Sequence, residues 1–587
     1  MEVKRLFDLL PWCEANFPGK PDVFAGKDNG TWTKFSIQDY REAADNISFG
    51  LLKLGVEPGD KIATIANNRP EWNFIDMGIM QAGAVHVPIY PTISDSDYEY
   101  ILNHAEVKVI FVGSEDLYKR LDRIKSRSCC IQSIFSMKTI PGTPGLEDLI
   151  TLGKENQDSL RLQGIMDSVK PHDMATMIYT SGTTGNPKGV MLAHEGIILN
   201  FLAAAPIPQM QPNARAISFL PLSHIYERMI NYLFQYLGFS IHYVESLATI
   251  GDNIREVKPH IMGSVPRFIE KTYDKIVTAG QKLPPVKRFI FNWGHHLALH
   301  YNREKPGSLF YQLQLKLADK LVFSKWREAL GGELSLIVSG GAALQMRLSS
   351  VFWAMGIDLL EGYGLTETSP VICVNLPWPG GGRFGTVGPK FGDVQVKIAE
   401  DGEVLCKGPT VMLGYYKNPE LTKEVIDTDG WFHTGDLGKF EDGFLRIVGR
   451  KKEIFKTSFG KYVSPQAVEG KMIESQFIDQ IIVLGENQKY AAALVVPNFE
   501  YLKSWCLLNH VVYTSASQII LEPIVRKKFK TEIDTLNKTL GATEQVKNFE
   551  LLDKEWTQAG GELTASLKLK RRVIEERYAD TIAKLFQ

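Results

Sequence analysis

The stretch ATMIYTSGTTGNPKG, residues 175–189, contains the strongest local signal in the sequence. Its first five residues are typical of a buried strand, and the ten that follow are rich in glycine, serine and threonine. Such a loop exposes backbone N–H groups and hydroxyls to an anion, and its glycines allow the backbone to wrap around one. Lys188 adds a positive charge. The stretch therefore predicts a loop that holds nucleotide phosphates directly after a strand.

This loop differs from the P-loop of common NTPases. That motif needs GxxxxGK followed by Ser or Thr, and Pro187 stands where its second glycine would be. The alternative interpretation, a flexible surface loop, is disfavoured because the stretch directly follows a buried strand. A GxGxxG pattern also occurs at residues 380–385, but it follows LPWP and no strand, which disfavours a dehydrogenase.

Strand-like runs on both sides of the loop predict an α/β fold. KIATIA begins at Lys61, AVHVPIY at Ala84, VKVIFVG at Val107 and SLIVSGG at Ser335. Helical periodicity occurs between such runs, as in residues 37–54. This spacing is typical of βα units and favours largely parallel sheets that are covered by helices on both faces.

The pattern changes twice in the second half of the chain. Near Arg383 it becomes rich in Gly and Pro, and short β-rich segments with Asp-Gly turns predict hairpins and a small β-barrel-like part. After Arg450 short strands and helices alternate again. We therefore predict a large N-terminal domain of several subdomains, residues 1–450, and a smaller α+β C-terminal domain, residues 451–587.

The composition is typical of a folded protein with several subdomains. The 587 residues are 44% hydrophobic and 23% charged, which excludes wholesale disorder. Lys and Arg number 66 against 67 Asp and Glu, so the chain lacks the basic excess of a dedicated nucleic-acid binder. Six cysteines without a CxxC pair predict reduced thiols in the cytoplasm rather than disulfides or a zinc site.

Neither a secretory signal nor a membrane-spanning segment is expected. The apolar run near the start is short and broken by charges. The best candidate for a spanning helix, residues 231–250, is interrupted by polar side chains and is interpreted as buried helix and strand.

Residues 282–330 have a local charge bias. Nine basic residues stand against three acidic ones, a charge of +6, and aromatic residues are interleaved with them. A basic amphipathic surface of this kind predicts peripheral contact with an anionic membrane. The alternative is a solvated helical hairpin whose aromatic side chains lie in the core.

The loop TSGTTGNPKG resembles the signature of the adenylate-forming superfamily, which includes acyl-CoA synthetases, firefly luciferase and the adenylation domains of peptide synthetases. Further motifs follow in the family's order over nearly the whole chain: FLPLSHIYER from Phe219, VSGGAAL from Val338, EGYGLTET from Glu361, WFHTGDLG from Trp431 and ELTASLKLKRR from Glu562. The similarity to long-chain fatty acyl-CoA synthetases rests on the segments PLSHIYER, SVPRFIEK from Ser264, SGGAAL, GRFGTVG and RKKEIFK taken together. The resemblance implies ATP, Mg²⁺, coenzyme A and a fatty acid as ligands.

The resemblance also implies a set of nucleotide-binding residues. The loop residues expected at the β- and γ-phosphates are Thr180, Ser181, Gly182, Thr183, Thr184, Gly185 and Lys188. The other expected contacts are Gly341 and Ala342 in the adenine pocket, Tyr363 stacked on adenine, Thr366 at the α-phosphate, Glu367 on Mg²⁺, and Asp436 and Arg450 at the ribose.

Four more residues are implied to serve the reaction itself. His224 corresponds to the family's residue beside the reacting carboxylate, and Lys568 to its catalytic lysine. A cation is needed at Lys568 because the attacking carboxylate and the α-phosphate are both negative. Lys452 corresponds to the hinge of a mobile C-terminal lid, and Lys456 to the segment that faces the site during thioester formation.

The implied activity has two steps, formation of an acyl-adenylate with release of pyrophosphate and transfer of the acyl group to coenzyme A with release of AMP. Two alternatives within the superfamily remain open: a fatty acyl-AMP ligase that delivers its product to a carrier protein, and a ligase for a different carboxylic acid. A non-catalytic binding relative is disfavoured because Glu367, Asp436, Arg450 and Lys568 occur together.

Overall fold

The structure, a computed structural model, describes residues 2–128, 130–180, 186–305, 307–558, 560–564 and 568–587. Helices and strands alternate along most of this length, which confirms the predicted α/β class. The strands are β1 (Phe24–Asp28), β2 (Thr31–Phe35), β3 (Lys61–Ile65), β4 (Val85–Ile89), β5 (Val107–Val112), β6 (Ser133–Ser136), β7 (Met174–Thr180), β8 (Lys188–Ala193), β9 (Arg215–Ser218), β10 (Ser240–Tyr243), β11 (Ile261–Ser264), β12 (Leu336–Ser339), β13 (Asp358–Gly364), β14 (Val371–Val374), β15 (Gln395–Ile398), β16 (Glu403–Lys407), β17 (Gly414–Tyr415), β18 (Phe432–Glu441), β19 (Phe444–Arg450), β20 (Phe455–Lys456), β21 (Tyr462–Val463), β22 (Ile478–Leu484), β23 (Ala491–Pro497) and β24 (Val546–Leu551).

The α-helices are distributed along the whole chain, with short 3₁₀ turns at Leu6–Asp8, Leu247–Thr249 and Thr366–Thr368 and a π-helical turn at Asp319–Phe323. They are α1 (Leu9–Asn16), α2 (Ile37–Lys53), α3 (Pro70–Gln81), α4 (Asp95–His104), α5 (Glu115–Lys125), α6 (Leu146–Glu155), α7 (Ser159–Ser168), α8 (His194–Ala204), α9 (Ile225–Tyr236), α10 (Ile250–Val257), α11 (Pro266–Gln281), α12 (Pro285–Leu299), α13 (Leu309–Ala318), α14 (Ser324–Ala329), α15 (Met346–Ala354), α16 (Pro419–Val425), α17 (Pro465–Met472), α18 (Phe499–Leu508), α19 (Ala516–Ile519), α20 (Pro523–Asn537), α21 (Arg571–Arg577) and α22 (Ala579–Leu585).

The loop that follows β7 lies at the end of a seven-stranded sheet. The strand order is β17-β8-β7-β4-β3-β5-β6, and the neighbours from β7 to β6 are parallel. The runs predicted as strands from Lys61, Ala84 and Val107 are β3, β4 and β5, all rich in β-branched residues and buried. The predicted helix over residues 37–54 is α2, which begins where Ser36 Oγ accepts a hydrogen bond from the Asp39 N–H.

A second sheet carries other residues of the candidate site. Its order is β14-β13-β12-β11-β9-β10-β1-β2, parallel from β13 to β1 and antiparallel at both edges. The run SLIVSGG from Ser335 contains β12, as predicted. The ends of β12 and β13 place Gly341 and Tyr363 on the same edge of this sheet, because neighbouring parallel strands end together.

The Gly-rich region after Arg383 forms an antiparallel sheet in the order β15-β16-β18-β19. Two predicted hairpins are present, β15 to β16 around Asp401-Gly402 and β18 to β19 around Asp442-Gly443. Asp442 and Gly443 both have positive φ, 51° and 88°, which is the backbone that an Asp-Gly turn favours. This four-stranded sheet stands where a barrel-like part is predicted.

The last part of the chain is built on the sheet β22-β23-β24. Alternate side chains of β22 and β23 enter two different apolar clusters. One cluster includes Val483 and Val495 and is closed by α17, α18 and α20, and the other includes Ile482 and Leu494 and is closed by α21 and α22. Both faces of the sheet are therefore buried against helices from the same part of the chain.

Residues 231–250 form the end of α9 and the strand β10, both buried, as predicted. Across the described ranges, no helix is long and apolar enough to cross a membrane.

Candidate functional site

The predicted phosphate loop is closed by two strands that pair with each other. Thr180, the last residue of β7, lies opposite Lys188, the first residue of β8, in an antiparallel ladder. The predicted phosphate ligands between them, Ser181, Gly182, Thr183, Thr184 and Gly185, lie outside the described residues. The structure thus defines the two ends of the loop and places Thr180 and Lys188 side by side.

Tyr415 on the short strand β17 links this loop to Glu367. The Lys188 ammonium lies 5.4 Å from the centre of the Tyr415 ring, and the Tyr415 hydroxyl donates to Glu367 Oε1 at 2.9 Å. The Met412 N–H also donates to the Glu367 carbonyl at 2.8 Å. Glu367 is therefore held beside the base of the loop, with Thr366 preceding it in the same 3₁₀ turn.

The predicted ribose ligands form a partly buried polar group with Tyr363, in which Asp436 is the buried member. Asp436 on β18 lies opposite Arg450 on β19, and Arg450 Nε contacts Asp436 Oδ1 at 3.0 Å. The Tyr363 hydroxyl donates to the other carboxylate oxygen at 2.8 Å. Burial raises the pKa of Tyr363 well above its ordinary value, and the neighbouring Asp436 carboxylate raises it further, so Tyr363 stays a hydrogen-bond donor.

Gly341 and Ala342, predicted in the adenine pocket, lie at the exposed end of β12. Gly341 has φ of 83°, and a Cβ added there would meet nothing within 4 Å. This edge is therefore an open surface bounded by small residues. The next residues are anchored, since the Leu344 N–H donates to the buried Glu361 carboxylate at 2.9 Å.

His224 caps the N-terminus of α9 and is neutral at physiological pH. Its Nδ1 accepts a hydrogen bond from the Tyr226 N–H at 3.2 Å, which assigns the ring proton to Nε2. Burial lowers the pKa of His224 to about 4, and the nearby Lys568 ammonium contributes in the same direction. His224 can therefore offer an N–H donor but no positive charge.

Two hydrogen bonds join Lys568 to Thr564 in the C-terminal part. The Thr564 N–H donates to the Lys568 carbonyl at 2.8 Å, and the Lys568 N–H donates to Thr564 Oγ1 at 3.0 Å. Residues 565–567 lie outside the described residues. The Lys568 side chain keeps access to solvent, but it lies in a cleft whose enclosure lowers the pKa of its ammonium.

Most of the charges around Lys568 belong to other predicted site residues. Arg450 lowers the pKa of Lys568 further, whereas Asp436, Glu453 and Glu367 act to raise it. The structure thus brings Lys568 together with His224, Glu367, Asp436 and Arg450 at one place. Two carboxylates and a neutral imidazole beside a lysine form a site that suits a substrate with both anionic and hydroxyl groups.

Two further predicted residues, Lys452 and Lys456, are exposed. Lys456 on β20 is exposed, and its ammonium lies 5.6 Å from the ring centre of Tyr462 on the paired strand. Lys452 is exposed and follows Lys451, which forms ion pairs with Asp401 and Glu403. Within the described ranges, neither lysine contacts Asp436 or Glu367 through its side chain.

Tyr415 is a site residue that the motifs did not indicate. It lies in a strand of two residues, too short to produce a periodic pattern, and its importance follows only from the contacts with Lys188 and Glu367. Glu453, directly after the predicted hinge, was also missed although it influences the pKa of Lys568.

Two known family descriptions match this chain. The family described as AMP-binding enzyme matches residues 12–416, and the family described as AMP-binding enzyme C-terminal domain matches residues 453–587. The chain therefore belongs to the AMP-binding enzyme family.

Relatives of known name extend over nearly the full chain. Long-chain-fatty-acid–CoA ligase FadD15 of Mycobacterium bovis is 31% identical over 95% of this chain and 93% of its own length. Fatty acyl-CoA synthetase A of Dictyostelium discoideum is 30% identical over 98% of this chain and 89% of its own. Among solved structures, the anthranilate CoA ligase AuaEII in complex with anthranoyl-AMP has the same fold, with a TM-score of 0.74 at 20% identity over 98% of this chain and 97% of that one.

Proposed function

We propose that the protein is an AMP-forming long-chain fatty acid–CoA ligase. The observation that carries the proposal is the convergence of Lys568, from the end of the chain, with Asp436, Arg450, Glu367 and His224. The names of relatives that cover most of the chain support the same activity and a long-chain acid as substrate.

In the first step a carboxylate oxygen of the fatty acid attacks the α-phosphorus of ATP, a new P–O bond forms, and pyrophosphate leaves. The Lys568 ammonium lies between the carboxylate and the α-phosphate and reduces their repulsion, with Thr366 donating to the same phosphate. The Nε2–H of His224 donates a hydrogen bond to the carboxylate of the fatty acid. Because His224 is neutral, it orients this nucleophile without forming an ion pair with it. No covalent bond to the protein is needed, because positioning and charge neutralisation lower the barrier.

The rest of the nucleotide is held by the other predicted ligands. Asp436 accepts from the ribose hydroxyls while Arg450 and Tyr363 fix the orientation of its carboxylate. The adenine lies against Gly341 and Ala342, and the loop from Thr180 to Lys188 holds the β- and γ-phosphates.

Glu367 is the proposed contact for Mg²⁺. No group of three or more potential metal ligands lies together in the described part of the chain, which disfavours a site built from protein ligands alone. A single carboxylate beside the phosphate loop fits Mg²⁺, which keeps several waters and shares phosphate oxygens. Bound there, the ion would neutralise part of the phosphate charge.

In the second step the sulfur of coenzyme A attacks the acyl carbonyl carbon, a thioester forms, and AMP leaves. We propose that residues 451–587 form a domain that turns about Lys452, withdraws Lys568 and presents Lys456 for this step. The separate apolar clusters of the C-terminal part support the division near Arg450.

A product assay tests the proposal. The protein is incubated with Mg·ATP, coenzyme A and free acids from acetate to oleate, and AMP, ADP and acyl-CoA are measured by mass spectrometry. We expect AMP and long-chain acyl-CoA, with adenylation reduced at least about a hundredfold in Lys568→Ala. Lys570→Ala, two residues away and exposed, is the matched control and should retain activity.

Other products would identify the alternatives. AMP formation without acyl-CoA would indicate an acyl-AMP ligase that needs a carrier protein, and turnover with short acids alone would indicate a different carboxylate–CoA ligase. ADP as the product would contradict the proposed reaction.

We also propose peripheral membrane contact through residues 282–330, by a protein located in the cytoplasm. Phe291, Phe323 and Trp326 lie in the core, as the helical-hairpin alternative requires. The opposite sides of α12 and α13 nevertheless expose large apolar side chains, at least half accessible to solvent: Val286, Phe289, Leu309, Phe310, Leu313 and Leu317.

The charges around this apolar surface favour an anionic bilayer. All three acidic residues of the segment are in ion pairs, Glu304 with Arg383, Asp319 with Arg327 and Glu328 with Lys325. Five further lysines and Arg288 keep a positive surface around the exposed apolar side chains. Apolar insertion and attraction to anionic lipid therefore act at the same place.

Co-sedimentation with vesicles of phosphatidylglycerol or phosphatidylcholine tests this contact. We expect binding to the anionic vesicles that weakens with salt, and a roughly tenfold or larger loss of affinity in the triple variant Phe289→Ser, Phe310→Ser and Leu313→Ser. Leu160→Ser on α7, at a side chain that is 89% exposed, is the matched control. Equal sedimentation of the wild type and the triple variant would contradict the proposal.

A further inference from the structure

A short ion pair joins the two parts of the chain that different family descriptions match. Arg267, near the start of α11, contacts Asp479 on β22, with 2.5 Å between Nη2 and Oδ2. The Arg267 Nη1 also donates to the Asp479 carbonyl at 2.9 Å. Both side chains are partly buried, so water screens this pair less than an exposed one.

The pair belongs to a longer polar seam on the same side of α11. Glu270 lies 3.7 Å from Arg267 and accepts from Gln345 Nε2 at 2.8 Å. Gln345 in turn accepts from Arg347 Nε at 2.7 Å, and Arg347 reaches across to the carbonyl of Ile473 at 3.4 Å. The seam therefore crosses between the two parts at two points.

The seam has more carboxylates than guanidinium groups. Asp274 on α11 is enclosed here, and burial raises its pKa to about 6, with Arg347 and Arg267 opposing the shift and Glu270 and Asp479 adding to it. Without Arg267, these three carboxylates would be left with Arg347 as the one guanidinium group of the seam. The contact between the two parts therefore depends on this arginine.

Asp479 is connected to the residues on either side of Lys568 by a short series of hydrogen bonds. The side chain of the next residue, Gln480, exchanges two hydrogen bonds with the backbone of Trp556, at 3.0 and 2.8 Å. The Thr557 N–H donates to the Glu562 carboxylate at 3.2 Å, and the Lys570 N–H donates to the Glu562 carbonyl at 2.7 Å. A shift of β22 relative to α11 would thus displace Lys568.

We infer that Arg267 and Asp479 are positioning residues for the adenylate-forming step, because their contact holds the C-terminal part where Lys568 enters the site. The inference rests on the proposed function. It separates the two steps chemically, because attack of the carboxylate on phosphorus needs the Lys568 charge. In transfer from a supplied acyl-adenylate, the sulfur of coenzyme A attacks the acyl carbon, the bond from that carbon to the phosphate oxygen breaks, and no bond at phosphorus changes.

Charge reversal tests the inference. Asp479→Lys places two cations together and should lower single-turnover formation of oleoyl-adenylate from ATP and oleate roughly ten- to hundredfold. Adding Arg267→Glu restores an ion pair in the opposite sense and should recover most of the rate. The rate of oleoyl-CoA formation from synthetic oleoyl-adenylate should stay within about threefold of wild type in each variant.

Three controls make the result specific. Asp479→Glu keeps the charge and should retain adenylation, and the thermal unfolding midpoint of each variant reports whether it is folded. Asp252→Lys reverses one partner of the exposed Asp252–Arg255 pair on α10 and should leave both steps unchanged.

The possible outcomes are distinguishable. A folded Asp479→Lys variant that adenylates at the wild-type rate, or that loses both steps equally, would overturn the inference and leave the proposed function standing. Failure of the added Arg267→Glu to recover the rate would overturn the role of the pair. A wild-type protein that forms no acyl-adenylate would overturn the proposed function, and the inference with it.

Discussion

Glu227 lies fully buried one turn beyond His224 on α9, and its carboxyl group is only half satisfied. Oε1 accepts from Ser218 Oγ at 2.5 Å and from Asn231 Nδ2 at 3.2 Å, while Oε2 has no partner among the described residues. Burial raises the pKa of Glu227 from its ordinary value of 4.5 to about 8, although both hydrogen bonds act to lower it. The folded protein therefore keeps Glu227 protonated at neutral pH.

This raised pKa predicts a pH-dependent stability. Between about pH 5 and pH 8 the unfolded chain ionises Glu227 while the folded chain keeps its proton, so stability falls as pH rises, by up to about 1.4 kcal/mol per pH unit for this one proton. Glu227→Gln keeps an acceptor for Ser218 and Asn231 but cannot ionise. We expect its unfolding free energy, measured with urea across this range, to fall less steeply than that of the wild type.

Glu256→Gln is the control for this experiment. Hydrogen bonds from Lys27 and Trp32 lower the pKa of Glu256. Its ionisation therefore changes the stability only at pH values below the range of pH 5 to pH 8. Parallel pH profiles for wild type and Glu227→Gln would show that Glu227 is ionised in the folded state.

The residues of the candidate site differ in how far sequence could predict them. The sequence motifs predicted Tyr363, Asp436 and Arg450 as site residues. In the structure Asp436 contacts both Tyr363 and Arg450. Tyr415 could not be predicted from a motif, because its position in the site depends on the pairing of β17 with β8, which joins residues more than 200 positions apart. The order of motifs along the chain gives no distances in space. Contacts between such distant residues are formed only when the chain folds.

Among the elements, strands in parallel sheets were the most predictable. β3, β4 and β5 are buried on both faces, so they appear as continuous apolar runs that sequence analysis can recognise. The segment 282–330 was less clear, because its aromatic residues divide between the core and the surface. A composition count cannot separate Phe291, which is buried, from Phe289, which is 75% exposed.

The close packing of α2 on α6 gives a prediction at the scale of elements. Gly153 on α6 faces the backbone of Asn46, and a Cβ at Gly153 would overlap the Asn46 carbonyl. Gly50 on α2 is similarly close, with a Cβ there 2.6 Å from the Leu149 carbonyl. We expect Gly153→Ala to lower the unfolding free energy by about 3 kcal/mol or more. The atoms that a Cβ at Gly153 would meet, the Asn46 carbonyl and the Gly50 nitrogen, belong to the backbone of α2 and cannot move aside.

Gly164→Ala on α7 is the matched control for this substitution. It is also a helical glycine, but a Cβ there meets nothing within 4 Å, so alanine should stabilise the protein by about 0.5–1 kcal/mol. Urea unfolding of the two variants compares them directly. If Gly153→Ala were as stable as the wild type, the helices would have to lie farther apart than the structure has them.

At the scale of the whole molecule, sequence predicted the boundary near Arg450 but not how the two parts meet. β19 ends at Arg450, and the next apolar clusters belong to residues beyond it. The Arg267–Asp479 contact joins residues 212 positions apart, and each is an ordinary charged residue in its own segment. The division into domains at this boundary stays a prediction.

The organisation of the C-terminal part predicts that residues 453–587 fold alone. The sheet β22-β23-β24 buries one face under α17, α18 and α20 and the other under α21 and α22, so its core needs no residue from before β20. At the seam, removing the rest of the chain exposes Asp479 to water, which solvates its charge. We expect the isolated fragment to show native-like circular dichroism and one cooperative thermal transition.

A shorter fragment tests the reason for this stability. Residues 453–555 lack α21 and α22 and would expose Ile482, Leu484, Leu494 and Val496 on one face of the sheet. The shorter fragment should show no cooperative thermal transition. Without α21 and α22 this apolar face stays in water, and its burial no longer offsets the conformational entropy lost on folding. If residues 453–587 were unfolded alone while the whole protein melted in a single transition, the two parts would form one cooperative unit. The boundary near Arg450 would then mark a change in sequence pattern and not a domain.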